Sequence, residues 1–119
     1  MAGEQIYPRS SDHMISVEVA LSADVARGDY LRVGNLNGFA LADGKKDDVV
    51  DVCVECKLVD LKAIATAAPA GRRVVWVNNA IAFDSTKNLS NNKRSTILGF
   101  LHKAVTKTDT VMEMIWRNE

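Results

Sequence analysis

With 119 residues the chain has the length of one ordinary domain, and 47% hydrophobic against 25% charged residues excludes wholesale disorder. Fifteen Lys and Arg balance fifteen Asp and Glu, a neutrality that argues against coating nucleic acid or an anionic membrane, since both need a basic excess. No apolar run approaches the roughly 20 residues that cross a bilayer.

Met1 to His13 is polar, contains Pro8 and shows no periodicity, which predicts a flexible N-terminal arm ahead of a single domain over 14–119. Its first residues lack the basic start and apolar stretch of an export signal, so the two cysteines are expected as reduced thiols in a cytosolic compartment. From Met14 to Leu21 the residues Ile15, Val17, Val19 and Leu21 share one side, a strand with one dry face. Tyr30 to Val33 and Phe39 to Ala42 are short strands, and Asn37-Gly38 between them predicts a tight hairpin. Asp43-Gly44 marks a further turn. Val50 to Leu58 is the clearest strand, with Val50, Val52, Val54, Cys56 and Leu58 on one side and Asp51, Glu55 and Lys57 on the other.

Leu61 to Ala68 carries alanines and reads as a single helical turn at most, ended by Pro69. Arg73 to Val77, Ile97 to His102 and Thr110 to Trp116 complete the strands. Between them Asn78 to Ser95 is asparagine-rich and reads as a long loop, a type that is usually functional or disordered. The pattern predicts an all-β fold, a small antiparallel barrel or sandwich of about seven strands. Laid with Gly28 on Gly71, the segments 26–33 and 69–76 echo one another. They read as two similar glycine turns opening strands, not as a true repeat.

Motifs for chemistry are sparse. Cys53-Val54-Glu55-Cys56 matches C-x-x-C, but inside a strand its thiols should point to opposite faces, Cys56 dry and Cys53 wet. Ser10, Ser11, Asp12 and His13 lie on the expected arm, where they cannot preorganise a site. His102 ends a strand. Asp43, Asp47 and Asp48 lack a calcium-loop pattern and read as a charged hairpin tip. Arg72-Arg73 and Lys93-Arg94 could form a basic spot near Trp76, as in a free-standing barrel module binding an oligonucleotide or peptide; this is the alternative reading. No catalytic, cofactor or metal residues are expected, and the chain is not expected to be an enzyme.

The order of elements resembles a family of small bacteriophage capsid decoration, or head cement, proteins. The resemblance runs from Met14 to Trp116. It rests on Val25-Ala26-Arg27-Gly28-Asp29-Tyr30-Leu31-Arg32-Val33, then Gly38-Phe39-Ala40-Leu41-Ala42, the long strand Val49 to Val59 and Ala68 to Val77. Ile97-Leu98-Gly99-Phe100-Leu101 and Val111 to Trp116 complete it. The family usually has an acidic residue after the second glycine, where this chain has Arg72, and more glycine and alanine in the first half. The resemblance implies a barrel-like domain on the exterior of a virion capsid, made in the host cytoplasm. Its partner is the assembled major capsid protein lattice, bound commonly as a homo-oligomer, without nucleic acid, membrane or cofactor. A trimer about a local threefold axis is preferred over a dimer on a twofold. Linkage then stabilises the shell, because the protein binds the assembled lattice and not its separated parts. The arm and the loop are expected to supply the contact, with Ile6, Tyr7, Ile81, Phe83 and Leu89 as apolar anchors and Arg9, Lys93 and Arg94 as a polar rim.

Overall fold

A computed structural model describes residues 6–9, 13–84 and 96–118. Among the described residues nine strands form one antiparallel sheet: β1 (Tyr7–Pro8), β2 (Ile15–Ala20), β3 (Tyr30–Val33), β4 (Leu36–Ala40), β5 (Val49–Lys62), β6 (Arg73–Val77), β7 (Ala80–Phe83), β8 (Ile97–Leu101) and β9 (Val111–Arg117). The path β3-β4-β5-β9-β8-β6-β7 curls into a half-barrel, and β1 and β2 join it by pairing with β5. Across the curl, Tyr30 of β3 stacks on Trp76 of β6 with ring centroids 3.9 Å apart. The all-β expectation holds, and the main core lies inside the curl, around Trp116, Met112, Met114, Leu98, Leu101, Val59 and Phe39. Burying each such side chain contributes about 1.5–3 kcal/mol.

Strand β5 organises the sheet. Val52 has Val17 and Ala40 as partners, while Val59 has Pro8 and Met114. One strand therefore serves as spine for both halves of the molecule. Its register shifts opposite β2 and again opposite β9. Such bulges change which residues face the core. Cys53 and Cys56, three positions apart, both end up buried in the main core, which corrects the expectation that Cys53 faces water.

Other expectations change for tertiary reasons. The hairpin between β3 and β4 turns at Gly34-Asn35, with Gly34 at φ 61°, and Asn37-Gly38 lies within β4. A Cβ on Gly38 would meet Val52 Cγ1 at 2.6 Å and the Cys53 carbonyl at 2.8 Å. Asn37, 1% exposed, donates through Nδ2 to Ile97 O at 3.3 Å and through its N–H to Asn118 Oδ1 at 2.6 Å. Its carbonyl accepts from Trp116 Nε1 at 3.1 Å and Asn118 Nδ2 at 2.9 Å. The dipeptide is a junction between sheet halves, so it cannot be a turn. The expected helical turn after Leu61 is absent: β5 runs on to Lys62, where it pairs with Val111. The expected loop from Asn78 begins instead with a hairpin, Asn78 and Asn79 at φ 52° and 60° leading into β7. That pair of positive values is the type I′ geometry Asn tolerates. Part of the expected flexible arm is docked, since residues 7 and 8 pair with β5 and Ile6 is fully buried.

Four corner turns among the described residues share one construction. The turn's last N–H donates to its first carbonyl: Asp29 to Ala26 at 3.0 Å, Asp48 to Lys45 at 2.9 Å, Arg72 to Pro69 at 3.2 Å and Asp109 to Thr106 at 3.4 Å. In three of them the closing Asp also accepts the first residue's N–H, at 2.9, 2.9 and 2.8 Å. Pro69 has no N–H to give, and there the closing residue is Arg72. The turns meet in pairs through reciprocal main-chain bonds, Val25 with Gly44 and Ala68 with Val105. Gly28 donates to Ala40 O at 2.8 Å, as Gly71 does to Leu101 O at 2.7 Å. Their φ values are 91° and 87°. The faint echo in the sequence is thus a structural repeat. Gly38-Phe39-Ala40 of the first half corresponds to Gly99-Phe100-Leu101 of the second, which carries β7 as an insertion.

Candidate functional site

The groups considered for chemistry have other work. Burial pushes the Cys53 thiol up to about 12, with Cys56 beside it adding to the effect. Its Sγ donates to Glu55 O at 3.2 Å. A thiol so shielded is a poor nucleophile or redox group. Asp43 and Asp24 accept the backbone N–H groups of Arg27 and Lys46 at 2.7 and 2.8 Å, closing loops rather than offering a cation site. His102 Nδ1 stands 3.8 Å from Glu113 Oε1 on the surface, and His13 is exposed. Ser10, Ser11 and Asp12 lie outside the described residues, among which no group of three His, Cys, Asp or Glu side chains could hold a metal.

In the expected basic spot, Arg72 and Arg73 share the Asp84 carboxylate, while Lys93 and Arg94 lie outside the described residues. Arg72 Nε and Arg73 Nη1 approach the Asp84 carboxylate at 3.3 and 3.7 Å, and Arg72 Nη2 donates to Asp84 O at 2.8 Å. Trp76 is covered by Tyr30, so its face is closed to a base. Stacking platforms and unpaired cations are what single-stranded nucleic acid requires.

Of the expected contact residues, Ile6 is fully buried in the main core and Phe83 is 9% exposed there. Neither has surface to give to a partner as placed. Tyr7 is 40% exposed, with the Arg27 guanidinium 5.6 Å from its ring centroid. Arg9 pairs with Asp60 at 3.4 Å and Glu113 at 2.6 Å. Ile81 is half-buried beside Leu61, Ile64 and Ala80. Leu89, Lys93 and Arg94 lie outside the described residues.

A surface not singled out in the sequence emerges on β2, β3, β4 and the first half of β5. Leu21, Val50 and Val52 form a small second cluster, flanked by half-buried Val19, Val25, Leu31 and Val33. Ile15 continues the Val17–Val19 side of β2, and Leu36 pairs with Val33. Ile15 is 52% and Leu36 39% exposed, large values for aliphatic side chains. The repeat shows what is unusual here. Ala40 pairs with Val52 as Leu101 pairs with Met114, yet Leu101 and Met114 lie in the main core. The corresponding face of the first half is turned away from that core, and it carries aliphatic rather than charged residues. The period-two pattern of β2 did signal a dry face; it could not say whether the cover is the protein's own core.

No curated protein and no solved structure matches the chain. A family model does, over residues 9–115, so the chain belongs to the phage cement protein family.

Proposed function

We propose that this protein binds the outer surface of an assembled phage head and stabilises the major capsid protein lattice as a homo-oligomer, with no bond made or broken. The observation that supports this reading is the aliphatic face of the first repeat, whose equivalent in the second repeat is core. The centre of that face is buried, and at its rim Ile15 is 52% and Leu36 39% exposed, apolar surface that a partner can cover. Each copy needs only about 1,000 Å² or somewhat more of interface, because repetition over the lattice multiplies the effect. Tyr7, Arg9 and Ile81 stand as further contacts, and Lys93, Arg94 and Leu89 extend the proposal beyond the described residues. Binding only the assembled lattice stabilises it by linkage.

The test is co-sedimentation with purified shells, followed by heating. Wild-type protein should pellet with shells and raise their disruption temperature. Ile15→Asp and Leu36→Asp, both at exposed positions, should keep the domain's own melting temperature and weaken shell binding at least about tenfold, the cost of stranding a charge in an apolar interface. Wild-type protein that leaves shells no more resistant to heat would overturn the proposal.

A further inference from the structure

Residues 6–9 are held by a groove that is chemically complete without their chain neighbours. Ile6 fills a hole in the main core at 0% exposure, and its N–H donates to Gly28 O at 2.8 Å. Tyr7 and Pro8 pair with Asp60 and Val59, and the Arg9 N–H donates to Leu58 O at 3.0 Å. The Arg9 guanidinium reaches the carboxylates of Asp60 and Glu113. Arg27 lies over the Tyr7 ring. The groove thus combines a strand edge, an apolar hole and an acidic pair, three features that select an Ile-x-x-Arg segment.

Two further observations bear on who supplies that segment. The family match begins at Arg9, so Ile6 to Pro8 lie outside the part shared with the family. Between Pro8, opposite Val59, and Ile15, opposite Glu55, the chain is also longer than the Val59-to-Glu55 stretch beside it. Extended, the six connecting residues reach about 20 Å. The contacts of 6–9 include Gly28, Arg27, Leu58, Val59, Asp60 and Glu113.

We propose that Ile6–Arg9 is an exchangeable strap, and that on the shell the groove beside β5 accepts the strap of a second copy. An exchanged identical segment needs no new complementarity. A lattice supplies the high local concentration that favours exchange. The lattice setting rests on the function proposed above; the acceptor groove does not.

The groove is tested in solution with the full chain. Ile6→Asp places a carboxylate where burial is prohibitive, so the variant's own strap leaves the groove. A synthetic peptide of residues 4–13 should then raise its melting temperature saturably, by about 5 °C, while the same peptide carrying Asp in place of Ile6 should not. Where Ile6→Asp does not fold, Ile6→Ala serves in its place. No rise with the wild-type peptide would overturn the groove. Exchange is tested by joining the register pair Tyr7 and Asp60 as Tyr7→Cys with Asp60→Cys, oxidising shell-bound protein and running a denaturing gel without reductant. Covalent dimers and higher ladders are expected; linked monomer alone would overturn exchange. Failure of the double variant to sediment with shells that still bind the Tyr7→Cys and Asp60→Cys single variants, read in the same experiment, would count against the exchange and is distinct from loss of the Tyr7 contact and from failure of the wild type to bind.

Discussion

The two repeats use one scaffold in opposite senses. In the first, Phe39 and Cys53 face the main core, while Ala40 pairs with Val52, which belongs to the small second cluster. In the second, Leu101 and Met114 face the main core, and Phe100 and Ile115 are only half-buried. The same backbone unit has been filled with large side chains where it builds the main core and with small aliphatic ones, Ala40 and Val52, where it builds the second, smaller cluster. The difference teaches that the outward face of the first repeat is not a poorly packed accident. It is an interior-type face closed at its centre by the small second cluster and left with Ile15 and Leu36 exposed at its rim.

The sharpest way to break this equivalence lies at the paired glycines. A Cβ on Gly99 would sit 1.8 Å from Ile115 O, at a φ of 151° that side chains avoid, whereas the Gly38 clash is led by the Val52 Cγ1 methyl. Gly99→Ala should cost at least about 4 kcal/mol and abolish cooperative melting, and Gly38→Ala should cost about 1–3 kcal/mol. Equal effects, read by thermal unfolding, would show that the two crossings are not differently constrained.

A second contrast is pH. Cys53 occupies the position of apolar Ile115, and its thiol is raised from 9.0 to about 12, first by burial. The unfolded chain loses this proton near pH 9 while the folded one keeps it. Stability should therefore be full below pH 9 and fall as pH rises toward 12. In Cys53→Val the fall over that window should shrink by a few kcal/mol in chemical-denaturation midpoints; an unchanged pH profile would contradict the assignment.

The smallest effect sharpens the turn comparison. Asp at position 72 has no N–H to accept while Pro69 precedes it, so Arg72→Asp loses the contact with Asp84 and gains nothing. In a Pro69→Ala background the donor returns. The double-mutant coupling should favour the pair by about 1 kcal/mol. Additive effects would show that the turn does not depend on that hydrogen bond. Arg72, where the other three corner turns close on Asp, thus has a local reason in Pro69, three residues earlier in the same turn.

Strand periodicity, charge balance and glycine turns were legible in the sequence because each is decided by neighbours a few residues apart. The turns at Gly28 and Gly71 and the alternating strand Thr110 to Trp116 survive in the structure. The single dry face read from Val50 to Leu58 is instead divided by the register shifts of β5, Val50 and Val52 going to the second cluster and Cys56 to the main core. The order of those elements also carried the family. What residues far apart decide was not legible. Asn37-Gly38 became a junction because Val52, Trp116 and Asn118 converge on it. Cys53 was buried by register shifts along β5. Ile6 left an expected arm because Gly28 and the core accept it. The aliphatic face shows the limit most plainly: alternation determines that one side of a strand is apolar, and only the curl of the sheet determines whether that side meets its own core or a partner.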